Sequence, residues 1–220
     1  SIAEGVKEGR VAYSNIRKIV LFLLSCGMAE VLFYLFSVCL GYELPLVAIQ
    51  LLWINIVTDG LQDMSLSFEK GSKDVMMDKP RNTNESLFSK DLMIEVLMFG
   101  FAISFMIFII WKYLMDRDVD LFTSRSIIML IMVFIQNLHV LNCRSEKNSI
   151  FKTSLFSNPL IIITTLGSIL LQMIVIYIPV FSSFLKITTL PFDIIIKSFA
   201  FSLLIIVTSE IYKSVYRNLK

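Results

Sequence analysis

The sequence is poor in charged residues, which form 17% of its 220 residues, and it contains three cysteines and a single histidine. An average soluble domain carries about 25% charged and about 45–50% apolar residues. Hydrophobic residues form 56% of this chain, so the composition argues against an ordinary soluble enzyme. Disorder is excluded as well, because disordered chains combine low hydrophobicity with high net charge, and here the net charge is +2.

The few cysteines argue against a disulfide-rich protein, and the lack of clustered basic residues argues against a nucleic-acid-binding protein. Cys26 and Cys39 lie inside apolar runs without metal-ligand spacing, so we interpret the cysteines as small buried hydrophobic residues rather than a disulfide framework. No stretch forms a basic stripe with interleaved aromatic residues, and no nucleic-acid partner is predicted. We interpret His139 as a hydrogen-bonded packing residue rather than a proton shuttle.

Long apolar runs indicate the class of fold. A membrane-spanning helix needs about 20 mostly apolar residues, and six stretches meet this condition. They lie at about residues 19–40, 44–64, 92–113, 126–141, 160–181 and 194–212. The predicted fold is therefore an all-α membrane protein with six transmembrane helices in a bundle. The second and fourth stretches are the most polar, and polar groups in a span must be satisfied inside the protein.

The distribution of basic residues predicts the orientation of these helices. Six spans place both termini on one side, and cytoplasmic loops carry the excess of Lys and Arg. Fifteen of the 20 basic residues fall on the side of the termini, so both termini are predicted to be cytoplasmic. Residues 1–18 are predicted to form a stalk helix that continues into the first span, residues 19–220 the transmembrane domain, and residues 68–90 a cytoplasmic loop. Since the chain begins at Ser1 without an initiator Met or a signal peptide, we expect it to be a piece of a longer protein.

Several polar residues lie at membrane depth, where an ionisable side chain is costly and indicates a functional site. Glu30 lies near the middle of the first predicted span. Asn55, Thr58 and Asp59 lie near the middle of the second, at positions that share one helical face. Gln136 lies in the fourth. Carboxylate, amide and hydroxyl oxygens together suit Ca²⁺ or another hard cation, although a purely structural role for these residues stays open.

Three segments carry a resemblance to a known family. Residues 8–18 (EGRVAYSNIRK) resemble the stalk that enters the fifth membrane helix of P-type cation-transporting ATPases. Residues 50–61 (QLLWINIVTDGL) are similar to the sixth helix of the calcium-pump branch, and residues 136–149 (QNLHVLNCRSEKNS) resemble the eighth helix and its exit in bacterial members. The resemblance covers essentially the whole chain and implies the C-terminal six of ten membrane helices.

The resemblance implies a set of cation ligands and two departures from the family pattern. The family's ligands fall on the residues that the membrane-depth argument selects, namely Glu30, Asn55, Thr58, Asp59 and Gln136. Calcium pumps of the family commonly have Asn where this chain has Gly27, and usually have Pro where it has Gln62. The loss of one oxygen at position 27 and the amide at position 136 favour one divalent ion per cycle.

The resemblance also implies the partners and cofactors. The transported cation would be divalent, with Ca²⁺ preferred and Mn²⁺ possible in its place. Mg²⁺ and ATP would be used only by cytoplasmic domains outside this chain, because the phosphorylation motif Asp-Lys-Thr-Gly-Thr and any P-loop are absent here; no catalytic residue is therefore assigned. The expected partners are the lipid bilayer and the remaining N-terminal helices and cytoplasmic domains of the same pump, in a bacterial-type cell membrane.

Three alternatives remain at this stage. The chain could belong to a pump for Na⁺ or K⁺. It could be a stand-alone secondary transporter that uses the same carboxylates, although the charged segment at the amino end argues against this. It could also be a non-catalytic membrane subunit, in which the polar residues serve only to pack the helices together.

Overall fold

A computed structural model of the chain describes residues 1–71, 75–77, 87–145 and 149–219, and the side chains of residues 216–219 are not part of this description. Within these ranges the chain is helical and contains no β-strand. The α-helices are α1 (Ile2–Cys39), α2 (Ala48–Asn55), α3 (Leu61–Ser67), α4 (Lys90–Met115), α5 (Leu121–Cys143), α6 (Pro159–Tyr177), α7 (Pro179–Leu185), α8 (Phe192–Ser202) and α9 (Leu204–Leu219).

Among the described residues, five helical segments are long and apolar enough to cross a membrane. They are α1, α4, α5, α6 and the segment Phe192–Val215, which joins α8 to most of α9. The sequence predicted six such spans. The missing one is the second, residues 44–64, which the structure divides into two short helices.

The second predicted span is divided by a π-helical turn, Ile56–Gly60, which lies between α2 and α3. The Thr58 hydroxyl donates to the carbonyl oxygen of Ile54 at 2.7 Å, a bond to the residue four positions earlier that hydroxyl side chains also make in unbroken helices. The backbone at both ends of the turn stays right-handed helical, so a helical rod runs from Ala48 to Ser67. We call this rod the broken helix.

Two other helices end differently from the prediction. The fifth predicted span was to reach residue 181, but α6 ends at Tyr177 because Ile178 adopts an extended backbone before Pro179, as residues preceding proline commonly do. The fourth was placed at 126–141, but α5 begins earlier, at Leu121. The Asp120 carboxylate accepts a hydrogen bond from the backbone N–H of Thr123 there and caps the helix.

The helix α1 is unusually long. It has 38 residues, which corresponds to about 57 Å at the helical rise, whereas the hydrocarbon core of a bilayer is about 30 Å thick. Its polar first half and apolar second half form one uninterrupted helix, which ends before Gly41, whose φ of +75° makes the tight turn. The prediction that residues 1–18 form a stalk helix continuing into the first span concerns the first half of this helix.

The helix α5 lies at the centre of the molecule. In its most apolar 18-residue stretch 89% of the residues are buried, compared with 28–44% in the other four spans. It packs against α1, the broken helix, α4, α6, α8 and α9. The outward faces of the surrounding helices carry apolar side chains such as Val31, Leu52 and Ile163, which are more than half exposed.

Candidate cation-binding site

The π turn places its polar side chains against two neighbouring helices. The Thr58 hydroxyl oxygen lies 2.5 Å from the Oε1 atom of Gln136 on α5 and 3.4 Å from the Oδ1 atom of Asp59. The Nε2 atom of Gln136 donates to a carboxylate oxygen of Glu30 on α1 at 3.3 Å. Four of the five predicted ligands therefore form one connected cluster, which we call the ion cluster.

The ion cluster contains more oxygen acceptors than protons to share between them. Thr58 has one hydroxyl proton but three acceptor oxygens within 3.4 Å, on Ile54, Gln136 and Asp59. The hydroxyl can donate to only one of them at a time. Oxygen atoms that face one another without a proton repel, and a hard cation between them removes that repulsion.

Burial differs across the ion cluster. Thr58 and Gln136 are buried and Glu30 and Asp59 are half-buried, but Asn55, one turn earlier on the broken helix, is exposed. The structure thus leaves Asn55 outside the connected cluster, and its role as a ligand stays a prediction. In the described ranges no group of three or more His, Cys, Asp and Glu residues could hold a metal. A cation here would therefore also need amide and hydroxyl oxygens.

A second polar cluster lies one turn further along the broken helix, and we call it the support cluster. The Nε2 atom of Gln62 donates to Oδ1 of Asn137 at 2.6 Å. Asn137 in turn donates through Nδ2 to Ser168 of α6 and to the carbonyl of Val133, both at 2.8 Å. The hydroxyl of Thr164 donates to Oε1 of Gln62 at 3.0 Å. These groups are buried, and the cluster joins the broken helix, α5 and α6.

Sequence reasoning missed the support cluster. Gln62 was noted only as a departure from the family pattern, and Asn137 only within the segment 136–149, because neither side chain is ionisable. The sequence offered no signal that pairs them: Gln62 shares a helical face with Thr58, but adjacent residues such as Gln136 and Asn137 do not face the same way on a helix.

His139 has the packing environment that the sequence suggested. Its Nε2 atom lies 2.8 Å from the hydroxyl of Ser25 on α1 and 3.4 Å from the sulfur of Cys143. The ring of Phe99 on α4 packs against the imidazole, with 4.6 Å between the ring centroids. His139 therefore connects α1 and α5 near the ion cluster without belonging to it.

A buried ion pair lies at the end of the broken helix that is predicted to be cytoplasmic. The guanidinium of Arg144 contacts both carboxylate oxygens of Glu69 at 2.8 and 3.0 Å. Asn158 donates to the same carboxylate at 3.0 Å, and Asn15 of α1 donates to the backbone carbonyl of Glu69 at 2.8 Å. The polar half of α1 is thereby attached to the chain that leaves α3. Most of the predicted loop 68–90 lies outside the described residues.

The comparisons with known proteins identify a family. The family model described as "Cation transporting ATPase, C-terminus" matches residues 43–215. The "Calcium-transporting ATPase" of Bacillus subtilis (strain 168) is 39% identical over 180 residues, which are 81% of this chain and 20% of that protein.

More distant relatives cover almost the whole chain. The "Calcium-transporting ATPase 1" of Bacillus cereus is 31% identical over 238 residues, covering 99% of this chain and 26% of that protein. The "Calcium-transporting ATPase type 2C member 1" of Mus musculus is 31% identical over 221 residues, covering 99% and 24%. The chain therefore spans between a fifth and about a quarter of the length of these curated relatives.

Proposed function

Because this chain belongs to the family of cation-transporting ATPases, of which it matches the C-terminal part, we propose that it is the cation-binding membrane domain of an ATP-driven calcium pump. It is a multi-pass membrane protein with several apolar helices. The observation that carries the proposal is the ion cluster, in which Thr58, Asp59, Gln136 and Glu30 converge with a surplus of oxygens.

The proposed membrane topology has six spans, the broken helix being the second. Twenty residues from Ala48 to Ser67 give a length of about 30 Å, which is the thickness of the hydrocarbon core. This helix is not among the five long apolar segments because the π turn divides it and its polar residues lower its mean hydropathy. With six spans, the excess of basic residues on the side of the termini places both termini in the cytoplasm.

The proposed ion is a single Ca²⁺ per cycle, with Mn²⁺ as the nearest substitute. Ca²⁺ takes six to eight oxygen ligands. Some of these would be the side-chain oxygens of Glu30, Asn55, Thr58, Asp59 and Gln136. Asn55 is exposed, and the further ligands would come from outside this chain. In this proposal the ATP and Mg²⁺ sites also lie outside it, on the remaining part of the same pump.

The first half of α1 is the proposed route by which the cytoplasmic part of the pump acts on the ion cluster. Asn15 lies in that half and bonds to the carbonyl oxygens of Ser67 and Glu69, while Glu30 lies in the second half of the same uninterrupted helix. A displacement of the stalk would therefore reach both the ion cluster and the end of the broken helix. The proposed location is a bacterial-type plasma membrane, with lipid around the outward apolar faces.

The test is cation-dependent phosphorylation by ATP of the full-length protein that carries this chain, with Ca²⁺, Mn²⁺, Na⁺ and K⁺ titrated separately. We expect Ca²⁺ to support phosphorylation at the lowest concentration, and Asp59→Asn to raise the half-saturating Ca²⁺ concentration at least 100-fold. The matched control is Asp193→Asn, since Asp193 is an exposed carboxylate paired with Lys197, and this variant should behave as wild type.

Three outcomes contradict the proposal. Equal phosphorylation by Na⁺ or K⁺ would assign the ion cluster to monovalent cations. Cation uptake into vesicles without ATP would indicate a secondary transporter. Normal Ca²⁺ dependence in the Asp59→Asn variant would leave the polar residues with a packing role only.

A further inference from the structure

We infer that Gln62 is a positioning residue for the cation site: its carboxamide holds the broken helix in register with α5, so that Thr58 meets Gln136. The inference rests on the proposed function, because it concerns the same site. Gln62 would belong to the cation site without binding the cation itself, and it occupies a position where this chain departs from the family pattern.

Every hydrogen-bonding atom of the Gln62 side chain is engaged. Its Oε1 atom accepts from Thr164 at 3.0 Å and from Ser65 at 3.2 Å. Its Nε2 atom donates to Asn137 at 2.6 Å and lies 3.5 Å from the hydroxyl of Thr165. The side chain is completely buried. Because its partners outside the broken helix lie on α5 and α6, Gln62 attaches one position of the broken helix to both of these helices.

The position of this point determines where the π turn lies. Thr58 and Gln62 are four residues apart on the broken helix, and their partners Gln136 and Asn137 are adjacent on α5. Two side-chain bridges therefore connect the same two helices, and the second begins two residues after the π turn ends. A π turn has one residue more in each hydrogen-bonded ring than an α-helix, and so it rotates the residues of the turn relative to the helix that follows. An anchor just after the turn therefore keeps the Thr58 hydroxyl oxygen facing α5.

The support cluster differs from the ion cluster in containing no carboxylate, since its side chains are amides and hydroxyls. Asn137 uses its oxygen for Gln62 and both amide hydrogens for Val133 and Ser168. None of the side-chain atoms of Gln62 or Asn137 is left without a partner. An uncharged, hydrogen-bonded amide pair of this kind links helices but lacks the carboxylates that a hard cation prefers, and these are the properties of an anchor rather than of a ligand.

The experiment compares two buried glutamines of the same helix in the full-length pump. Gln62→Leu removes the anchor. Gln50→Leu is the matched control, because Gln50 is also completely buried but donates to the carbonyl of Leu185, away from the ion cluster. For each variant the half-saturating Ca²⁺ concentration, the maximal phosphorylation level and the thermal stability in detergent are measured.

We expect Gln62→Leu to raise the half-saturating Ca²⁺ concentration about 10-fold, as loss of an outer-shell partner of a metal site commonly does, with the maximal level per folded molecule unchanged. Gln50→Leu should lower thermal stability without moving the half-saturating concentration. Asn137→Leu should reproduce the Ca²⁺ shift of Gln62→Leu, and the double variant should show little more than either single change.

The inference is overturned if Gln62→Leu and Gln50→Leu both lose stability while the half-saturating Ca²⁺ concentration stays at the wild-type value, since Gln62 would then be a structural residue only. It is also overturned if the shifts of the Gln62 and Asn137 variants multiply in the double variant. Failure of the proposed function is distinguishable, because the wild-type protein itself would then show no Ca²⁺-dependent phosphorylation.

Discussion

The ion cluster and the support cluster lie one helical turn apart between the same two helices, yet their side chains differ in charge. The ion cluster contains two carboxylates, Glu30 and Asp59, beside Thr58 and Gln136. The support cluster consists of uncharged amides and hydroxyls, with Gln62 and Asn137 at its centre. Both clusters are polar and inside the bundle, so polarity alone does not separate a binding site from a structural contact. The presence of carboxylates does.

The difference has a physical consequence for the two clusters. Carboxylates that come together inside a protein repel one another, and a hard cation between them offsets that repulsion. An uncharged, hydrogen-bonded cluster has no such repulsion to offset and instead holds the helices in place. The π turn belongs to the first cluster and the ordinary α-helix of α3 to the second, and π turns are often found at functional sites.

The largest expected effect comes from exchanging the character of the support cluster. Asn137→Asp replaces a donor by an oxygen and directs a carboxylate at the carbonyl of Val133, in a helix that is mostly buried. A carboxylate at the centre of a membrane helix costs about 3 kcal/mol. We expect a loss of thermal stability of this size, measured by unfolding of the detergent-solubilised pump, and poor accumulation in the membrane.

Gln136→Glu is the matched control for that variant, because it makes the same chemical change at the adjacent residue, in the ion cluster. Here the added oxygen faces the place proposed for the cation, so the variant should accumulate normally and gain thermal stability when Ca²⁺ is added. Equal loss of stability in the two variants, with and without Ca²⁺, would abolish the distinction between the clusters.

A second prediction moves only one side of the ion cluster. Gly100 of α4 lies where an added Cβ atom would come within 2.7 Å of Cγ of Met28, two residues before Glu30 on α1. Gly100→Ala should therefore push α1 away at a cost of about 1–3 kcal/mol and weaken Ca²⁺ binding through Glu30. The measurements are thermal stability and Ca²⁺ titration of phosphorylation.

The control for the Gly100 variant is Gly167→Ala, since nothing lies within 4 Å of a Cβ atom placed at Gly167. That change should leave Ca²⁺ binding unaltered. If Gly100→Ala also left the half-saturating Ca²⁺ concentration unaltered, the position of α1 would not matter to the ion cluster, and Glu30 would not be a ligand.

The apolar runs were sufficient to predict α1, α4, α5, α6 and the last span, because each is a long stretch whose side chains must avoid water. They did not predict the π turn. That turn is a local change of backbone hydrogen bonding inside a continuous helical rod, which hydropathy does not register. The end of α6 at Tyr177 was misplaced by four residues because the extended conformation begins before Pro179 and not at it.

The sequence drew attention to the carboxylates of the candidate site but not to the amides of the support cluster. Glu30 and Asp59 were selected because a carboxylate at membrane depth requires an explanation. Gln62 and Asn137 were passed over because an amide can be satisfied in many ways, and only the three-dimensional arrangement shows that these two satisfy each other. Asn55 shows the reverse, since its position in the motif predicts a ligand and the structure leaves its side chain exposed.

A third prediction measures what a single hydrogen bond contributes to the stability of the support cluster. Thr164→Val removes a donor that lies 3.0 Å from Oε1 of Gln62, while Ser65 remains as a second donor to that atom. Interhelical hydrogen bonds in membrane proteins contribute about 0.6 kcal/mol on average, and we expect a loss of this size in thermal stability. Thr165→Val is the comparison, because the Thr165 hydroxyl is 3.5 Å from Nε2 of Gln62 and its removal should have no measurable effect. A larger loss at position 165 than at 164 would contradict the assigned hydrogen bonds.

The smallest expected effect tests whether the surplus of oxygens at the ion cluster can be increased. Gly27 precedes Glu30 by three residues and therefore shares its helical face, and no atom lies within 4 Å of a Cβ atom placed there. Gly27→Asn supplies one more amide oxygen on that face. It also removes a glycine from the interior of α1, where glycine lowers helix stability by about 0.5–1 kcal/mol relative to alanine. The half-saturating Ca²⁺ concentration should fall about two-fold, a change of roughly 0.4 kcal/mol at 1.4 kcal/mol per ten-fold. Gly27→Ala is the control that separates these two contributions, because it stabilises the helix without adding an oxygen. If Gly27→Ala lowered the half-saturating Ca²⁺ concentration as much as Gly27→Asn, the gain in affinity would come from the more stable helix. The number of oxygen ligands would then not limit Ca²⁺ binding at the ion cluster.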